Sequence, residues 1–131
     1  ERGVERAILP VSEKYGLGTL PYFPLAHGFL TGKYRRNKPV PAGTRLALTP
    51  AAQTKRLSAS NFDVLDQLEV FVEKRGHSMV ELAFAWLLAR RSVGSVIAGA
   101  STPDQIRQNA AAAEWELTQE DMDELTVILE G

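Results

Sequence analysis

The chain has 131 residues, of which 44% are hydrophobic and 24% charged, and this is the composition of one ordinary globular domain. Its 15 basic and 16 acidic residues give a formal net charge of −1, which argues against nucleic acid or an anionic membrane surface as a partner. Cysteine is absent, which excludes disulfides and thiolate metal sites, and we expect a cytoplasmic protein with no membrane span.

The first predicted elements are helical and are followed by a short strand. Apolar residues recur at helical spacing at Val4, Ala7, Ile8 and Val11. Pro10 predicts a break into two short helical pieces, the second starting near that residue. The apolar run from Gly18 to Phe23 is typical of a strand. Because the chain opens directly in helix-like sequence without a methionine, we expect it to be part of a longer protein.

A long irregular stretch separates this strand from two helices. Residues 24–60 are the longest irregular stretch and are rich in proline, glycine and basic residues; a loop of this length is usually functional or disordered. Its first part, residues 24–47, is the expected functional loop, and the pattern does not decide whether residues 48–60 are helical. Ser60 is the expected N-cap of the first helix, which Gly76 ends. The second helix begins at a capping box formed by Ser78 and Glu81. It is apolar nearly all round, so we expect it to be buried.

A second strand and two more helices complete the chain. Residues 92–98 are typical of a short buried strand. Thr102, with Pro103 at the first helical position, predicts the start of the next helix, and Thr118 caps a terminal helix. Strands that alternate with helices indicate an α/β fold with a parallel sheet and right-handed crossovers. A (β/α)8 barrel needs about 250 residues, so this chain can hold only part of one.

The turn after the second strand is one candidate ligand site. Gly99 permits close backbone approach, and the helix that follows presents free N–H groups that favour a phosphate. Gln105 and Asn109 lie four residues apart, on one helix face, and both can donate and accept hydrogen bonds. The alternative is a well-capped helix start whose amides are solvated.

The loop after the first strand is the other candidate site. It begins at the carboxyl end of a strand, where barrel active sites lie. Lys33 and Arg45 can supply positive charge to phosphates, Arg45 through a bidentate fork. The alternative is a surface loop with solvated basic residues.

Both segments resemble the aldo-keto reductase family. Residues 22–34, Tyr-Phe-Pro-Leu-Ala-His-Gly-Phe-Leu-Thr-Gly-Lys-Tyr, resemble the family segment after strand seven of its barrel. Residues 97–109, with Gly99, Ser101, Pro103, Gln105 and Asn109, resemble the segment after strand eight. The resemblance covers essentially the whole chain and is closest to the branch that includes potassium-channel β subunits and their bacterial relatives. It implies that residues 1–131 are the C-terminal part of a TIM barrel of aldo-keto reductase type.

The resemblance also implies a cofactor, NADP(H), and a role for individual residues. Lys33 would reach the pyrophosphate, and Arg45 with Ser101 would hold the 2′-phosphate. Gln105 would join them there and would contact the adenine end together with Asn109. The remaining implied cofactor-binding residues line the pyrophosphate and nicotinamide or flank these positions, and they are Phe23, Pro24, Leu25, Ala26, Gly28, Gly99 and Gln108.

Three departures from the family pattern concern charge. Many members carry lysine at the place of Gly99 and arginine at the place of Gln105, so recognition of cofactor charge rests more on Arg45 here. Relatives often have glutamate at the place of Gln108.

The family's catalytic Asp, Tyr, Lys and His belong to the first part of the barrel, so no catalytic residue is assigned. His27 lies in the right loop to donate a proton, but loop histidines are usually bystanders, and no metal site is predicted.

The resemblance implies reduction of a small-molecule aldehyde or ketone by hydride transfer from NADPH, with this chain alone inactive. Two alternatives belong to other classes, a non-catalytic NADP(H)-binding regulatory module and a structural fragment without a formed site. Because an open part-barrel leaves strand edges and apolar helix faces uncovered, we also expect possible self-association.

Overall fold

The computed structural model describes residues 2–130, which form six α-helices and one short 3₁₀ segment. In chain order these are α1 (Gly3–Lys14), the 3₁₀ segment (Ala26–Thr31), α2 (Pro50–Arg56), α3 (Ala59–Arg75), α4 (Met79–Leu88), α5 (Pro103–Ala111) and α6 (Gln119–Glu130). Within this part of the chain, no helix is long and apolar enough to cross a membrane.

The two predicted strands are present only as isolated pairings. Thr19 bridges Val93, and Tyr22 bridges Ile97, both in parallel orientation. Within residues 2–130 there is no strand longer than these single pairings. The parallel direction agrees with the predicted α/β order, but the two predicted short strands are reduced to these single pairings. Residues 93–98 are exposed or half-buried, so the prediction of a buried strand there is wrong. Each segment has only the other as a neighbour, so few backbone hydrogen bonds hold it extended. The bridges are made by Thr19 N–H to Ser92 O (2.6 Å), by Gly94 N–H to Thr19 O (3.2 Å) and by Ile97 N–H to Pro21 O (2.9 Å).

Helix α1 is continuous, contrary to the predicted break at Pro10. Arg6 and Pro10 are both exposed, so water can replace the hydrogen bond that proline cannot donate to the preceding turn. Leu9 and Ser12 are the buried residues of this helix. The apolar stripe seen in the sequence faces outward instead, with Val4, Ile8 and Val11 about half exposed.

Helices α3 and α4 carry much of the core. Ser58, rather than the predicted Ser60, caps α3, and its side chain accepts a hydrogen bond from Asn61 N–H at 3.2 Å. Gly76 ends α3 in the left-handed region, as predicted. The predicted capping box of α4 is confirmed. The buried side chains of these helices include Phe62, Leu65, Leu68, Phe71, Val72, Met79, Leu82 and Phe84.

Arg75 joins α3 to α6. Its guanidinium donates to Asp121 at 2.7 Å and to Glu124 at 2.8 Å, and it lies 3.6 Å from the centroid of the Phe71 ring. Burial raises the pKa of Asp121, but hydrogen bonds from Thr118 N–H and from Arg75 outweigh it and hold that pKa below its ordinary value. Thr118 Oγ1 in turn accepts from Asp121 N–H, which confirms the predicted cap of α6.

Two tryptophans lie beside cationic or titratable side chains. Trp115, in the segment between α5 and α6, stacks on His77 with the ring centroids 3.9 Å apart and the planes 7° apart. His77 is hydrogen-bonded to Glu81 through Nδ1 at 3.1 Å. The guanidinium of Arg90 lies 4.3 Å from the ring centroid of Trp86.

The long loop is packed on α3 rather than spread over the surface. Tyr34 and Leu46 are buried completely or nearly so, and both belong to the main apolar cluster. Gln53 of α2 donates to Leu46 O at 2.7 Å, which ties the end of the loop to the next helix. The loop therefore has its own core contacts, which fix the backbone on either side of its basic residues.

Candidate functional site

The two predicted cofactor segments begin side by side. The bridge between Tyr22 and Ile97 sets the first loop, which starts at Phe23, next to the second turn, which starts at Gly99. Both loops leave at the same end of the two parallel segments. In parallel α/β structures this carboxyl end is where ligands bind.

The first loop opens with an unusual backbone. Phe23, Ala26 and His27 all have positive φ angles, at 60°, 47° and 62°. Residues other than glycine rarely adopt such angles. The turn is held by Gly28 N–H donating to Leu25 O at 2.8 Å. Strained non-glycine backbone of this kind is concentrated at ligand-binding sites. These angles mark the 23–28 turn as a candidate ligand-binding loop.

Tyr34 and Lys33 close this turn from the far side of the 3₁₀ segment. The hydroxyl of Tyr34 donates to the carbonyl oxygen of His27 at 3.2 Å. A Cβ placed on Gly28 would lie 2.7 Å from both Cε and Nζ of Lys33, so the lysine passes directly over this glycine. Gly28 also has φ +83°, an angle that residues with a side chain rarely adopt, and this angle is what favours glycine there. The ammonium group of Lys33 lies close to the backbone of the turn.

The basic residues of the loop fall into two groups. Arg35 is paired with Glu69 of α3 at 2.6 Å, and Arg36 is paired with Asp63 and Asp66 at 2.7 and 3.0 Å. Lys33, Lys38 and Arg45 have no carboxylate partner among the described residues. Lys33 lies 5.4 Å from the ring of Tyr34, and Arg45 lies 5.6 Å from the ring of Phe23. Arg35 and Arg36 thus tie the loop to α3, whereas Lys33 and Arg45 are exposed.

The second segment is organised around Gln105. Its Oε1 accepts from Ser101 N–H at 2.8 Å and from Ser101 Oγ at 3.1 Å. A backbone N–H can only donate, so the amide oxygen must face Ser101 and the amide NH₂ must face away. Thr102 caps α5, and its Oγ1 accepts from Gln105 N–H at 3.3 Å. Gln105 therefore offers an outward-facing donor at the start of α5.

Other predicted residues lie on exposed or half-buried surfaces. Gly99 and Gln108 are exposed, whereas Asn109, Pro24 and Leu25 are half-buried. No side-chain hydrogen bond or ion pair joins Arg45 to residues 99–109 in the described part of the chain. The structure thus brings the starts of the two segments together at the bridge, while their charged and amide side chains keep to separate local networks.

Two further features bear on the chemistry of the site. His27 Nδ1 is buried and has no hydrogen-bond partner, and its ring lies 5.0 Å from that of Phe23. Residues 2–130 contain no group of three or more His, Asp or Glu that could hold a metal ion.

The sequence did not predict the burial of Leu46 beside Arg45, because an irregular loop has no periodicity to mark its buried residues.

Comparison with known proteins identifies the family of the chain. The model of the aldo/keto reductase family matches residues 1–130. The chain belongs to the aldo-keto reductase family. A putative voltage-gated potassium channel subunit beta from Schizosaccharomyces pombe is 35% identical over 131 residues, or 95% of this chain. An L-glyceraldehyde 3-phosphate reductase from Escherichia coli O157:H7 is 34% identical over 113 residues, or 80% of the chain.

A solved structure extends the comparison to the fold. The glycerol dehydrogenase of Gluconobacter oxydans superposes with a TM-score of 0.78 at 31% sequence identity over 98% of this chain. The aldo-keto reductase chain described here spans 39% of that protein, 38% of the yeast relative and 31% of the bacterial reductase. The chain therefore corresponds to a part of these proteins. The family model and the named relatives confirm the predicted family and branch.

Proposed function

We propose that this chain is the NADP(H)-binding part of an oxidoreductase that reduces aldehydes or ketones. The observation that carries the proposal is the placement of Lys33 and Arg45 around the 23–28 turn without carboxylate partners. Lys38 in the same loop also has no carboxylate partner among the described residues, but Lys33 and Arg45 are the two unpaired cations that lie against this turn, and they suit a ligand with two separate phosphate groups.

The cofactor would supply the hydride, and the residues of this chain would bind and orient it. Lys33 would contact the pyrophosphate above Gly28, where the backbone allows close approach. Arg45, Ser101 and the outward NH₂ of Gln105 would hold the 2′-phosphate, which accepts hydrogen bonds and does not donate them when fully ionised. The remaining contacts fall to Phe23, Pro24, Leu25, Ala26, Gly99, Gln108 and Asn109.

The proton donor and its supporting groups would come from the part of the barrel that relatives carry before the matched region. We therefore expect residues 1–131 alone to bind cofactor without turning over a carbonyl substrate. A small-molecule carbonyl would be the substrate of the whole protein, and a cytoplasmic location would suit its NADPH dependence.

Titration with NADPH, followed by the change in cofactor fluorescence, tests the proposal. Arg45→Gln should weaken NADPH binding by roughly 10- to 100-fold, because charge-assisted hydrogen bonds to the 2′-phosphate are lost. NADH lacks that phosphate, so its affinity should change little. The matched control is Arg36→Gln in the same loop, whose guanidinium is paired with α3 and should not affect affinity. Equal effects of the two variants would contradict the proposal, as would the absence of NADPH binding by the unaltered protein.

A regulatory role without catalysis is the second candidate. It is favoured by the 35% identity to a protein named as a potassium channel β subunit. Such a module would bind NADP(H) through the same residues and would show no carbonyl turnover when joined to the rest of its barrel. Turnover by the whole protein would support the reductase, and cofactor binding without turnover would support the module.

A further inference from the structure

Tyr34 contacts the candidate cofactor turn at three points while it is itself buried. Its hydroxyl donates a hydrogen bond to the carbonyl oxygen of His27 at 3.2 Å. The centroid of its ring lies 5.4 Å from the ammonium nitrogen of Lys33, and its Cε2 would lie 3.8 Å from a Cβ built on Gly28. Only 2% of Tyr34 is exposed, so the side chain meets the turn from the interior of the protein.

The backbone of this turn depends on contacts of this kind. Ala26 and His27 have φ angles of 47° and 62°. Residues other than glycine are strained there, and they keep such angles only where the surrounding structure holds them. Local hydrogen bonds, such as the one from Gly28 N–H to Leu25 O at 2.8 Å, close the turn. The bond from the Tyr34 hydroxyl adds a tie to a side chain of the main apolar cluster.

Packing alone does not account for a tyrosine at this position. A phenylalanine would place the same ring in the cluster without a hydroxyl that has to leave water. The hydroxyl is paired, and its partner is the carbonyl of a residue with a strained φ angle. Because Tyr34 has almost no surface to offer a bound cofactor, any effect it has on binding passes through the turn and through Lys33.

We propose that Tyr34 is a positioning residue for the pyrophosphate of the cofactor. It holds the carbonyl of His27, and with it the backbone of the 23–28 turn, and its ring lies beside the Lys33 ammonium group. The inference rests on the proposed function, in which Lys33 contacts the pyrophosphate above Gly28. Tyr34 therefore acts on the part that NADPH and NADH share, whereas Arg45 acts on the 2′-phosphate that only NADPH carries.

The affinities of three ligands for a Tyr34→Phe variant test this role. The variant keeps the ring and loses the hydroxyl, so NADPH and NADH should both bind about three- to tenfold more weakly. Adenosine 2′,5′-bisphosphate has no pyrophosphate, so its affinity should change by less than about twofold. Arg45→Gln should give the opposite pattern, with weaker binding of NADPH and of the bisphosphate and unchanged binding of NADH.

Val72→Ala is the matched control for a general loss of stability. Val72 is buried in the same apolar cluster, on α3. Its truncation should lower the midpoint of urea unfolding without changing the ratio of NADH affinity to bisphosphate affinity. Circular dichroism verifies that each variant is folded. Equal losses of NADH and bisphosphate affinity in Tyr34→Phe would overturn the proposal, as would an unchanged affinity for NADH.

Amide hydrogen exchange tests the turn without any ligand. The N–H groups of Gly28 and Leu30 both donate to Leu25 O, and in Tyr34→Phe they should exchange about three- to tenfold faster. Exchange at Gly76, at the end of α3, should stay the same. Unchanged exchange at Gly28 and Leu30 would refute the role of Tyr34 whatever the ligands do. If the unaltered protein binds no cofactor, the proposed function fails, and the pyrophosphate role fails with it even where exchange shows that Tyr34 holds the turn.

Discussion

Replacing Leu46 with alanine should show whether the cofactor loop depends on its own core contacts. The Leu46 side chain is fully buried and belongs to the main apolar cluster. Truncating a leucine in such a position removes apolar contacts and leaves a cavity, which typically costs about 2–5 kcal/mol. That is a large part of the roughly 5–15 kcal/mol that stabilises an ordinary domain. Because Arg45 is the preceding residue, NADPH affinity should fall as well.

The matched control lies two residues further along the same loop. Leu48 is 78% exposed, so Leu48→Ala should change the free energy of unfolding by less than about 0.5 kcal/mol. Urea denaturation followed by circular dichroism gives both values, and NADPH titration gives the affinities. If the two variants lose the same stability, the loop is not held by Leu46, and the packing described here for residues 34–46 is wrong.

Three further substitutions probe other features. Gly28→Ala should displace Lys33, whose Cε and Nζ would lie 2.7 Å from the new Cβ, and calorimetric titration should show weaker binding of both NADPH and NADH. Ser78→Ala should lower the free energy of unfolding in urea by about 1 kcal/mol, because it removes the N-cap of α4. Asp121→Asn should make stability less dependent on pH. The lowered pKa of Asp121 adds stability above its ordinary value near 4, and this is lost as pH falls through the folded pKa, so thermal melts at pH 7 and pH 3 should differ less in the variant.

Helix ends were the most predictable part of the fold. The capping box at Ser78, the cap at Thr102 and the left-handed stop at Gly76 were all read correctly, because each depends on a few neighbouring residues. The cap of α3 was misplaced by two residues. Ser58 and Ser60 are both good caps and lie with their hydroxyls 3.1 Å apart, so local chemistry alone does not choose between them.

Features that depend on distant neighbours were harder to predict. A proline usually interrupts a helix, yet α1 continues through Pro10 because that side of the helix is exposed. The apolar sequences of residues 18–23 and 92–98 predict two short strands. Strand length also depends on neighbours along both edges, and here each segment pairs with only one other.

In the candidate site too, the contacts between distant residues were the part that the sequence did not predict. The family resemblance implies phosphate-binding roles for Lys33 and Arg45, which stay a prediction, and the sequence did not indicate that Arg35 and Arg36 pair with α3. Their partners lie about 30 residues away along the chain. Which cations of a basic loop are neutralised by pairing is therefore a tertiary property, and it could not be read from the loop alone.

The stacking of Trp115 on His77 has a practical consequence. The chain contains only two tryptophans, and the other one, Trp86, lies beside Arg90. A Trp86→Phe variant would leave a single emitter at the junction of α3, α4 and the segment before α6. Its emission would report the opening of that junction, through the loss of the adjacent imidazole, without any attached dye. Trp115 is thus an intrinsic fluorescence probe of packing in the C-terminal part of the chain, and its signal is distinct from the fluorescence of the cofactor.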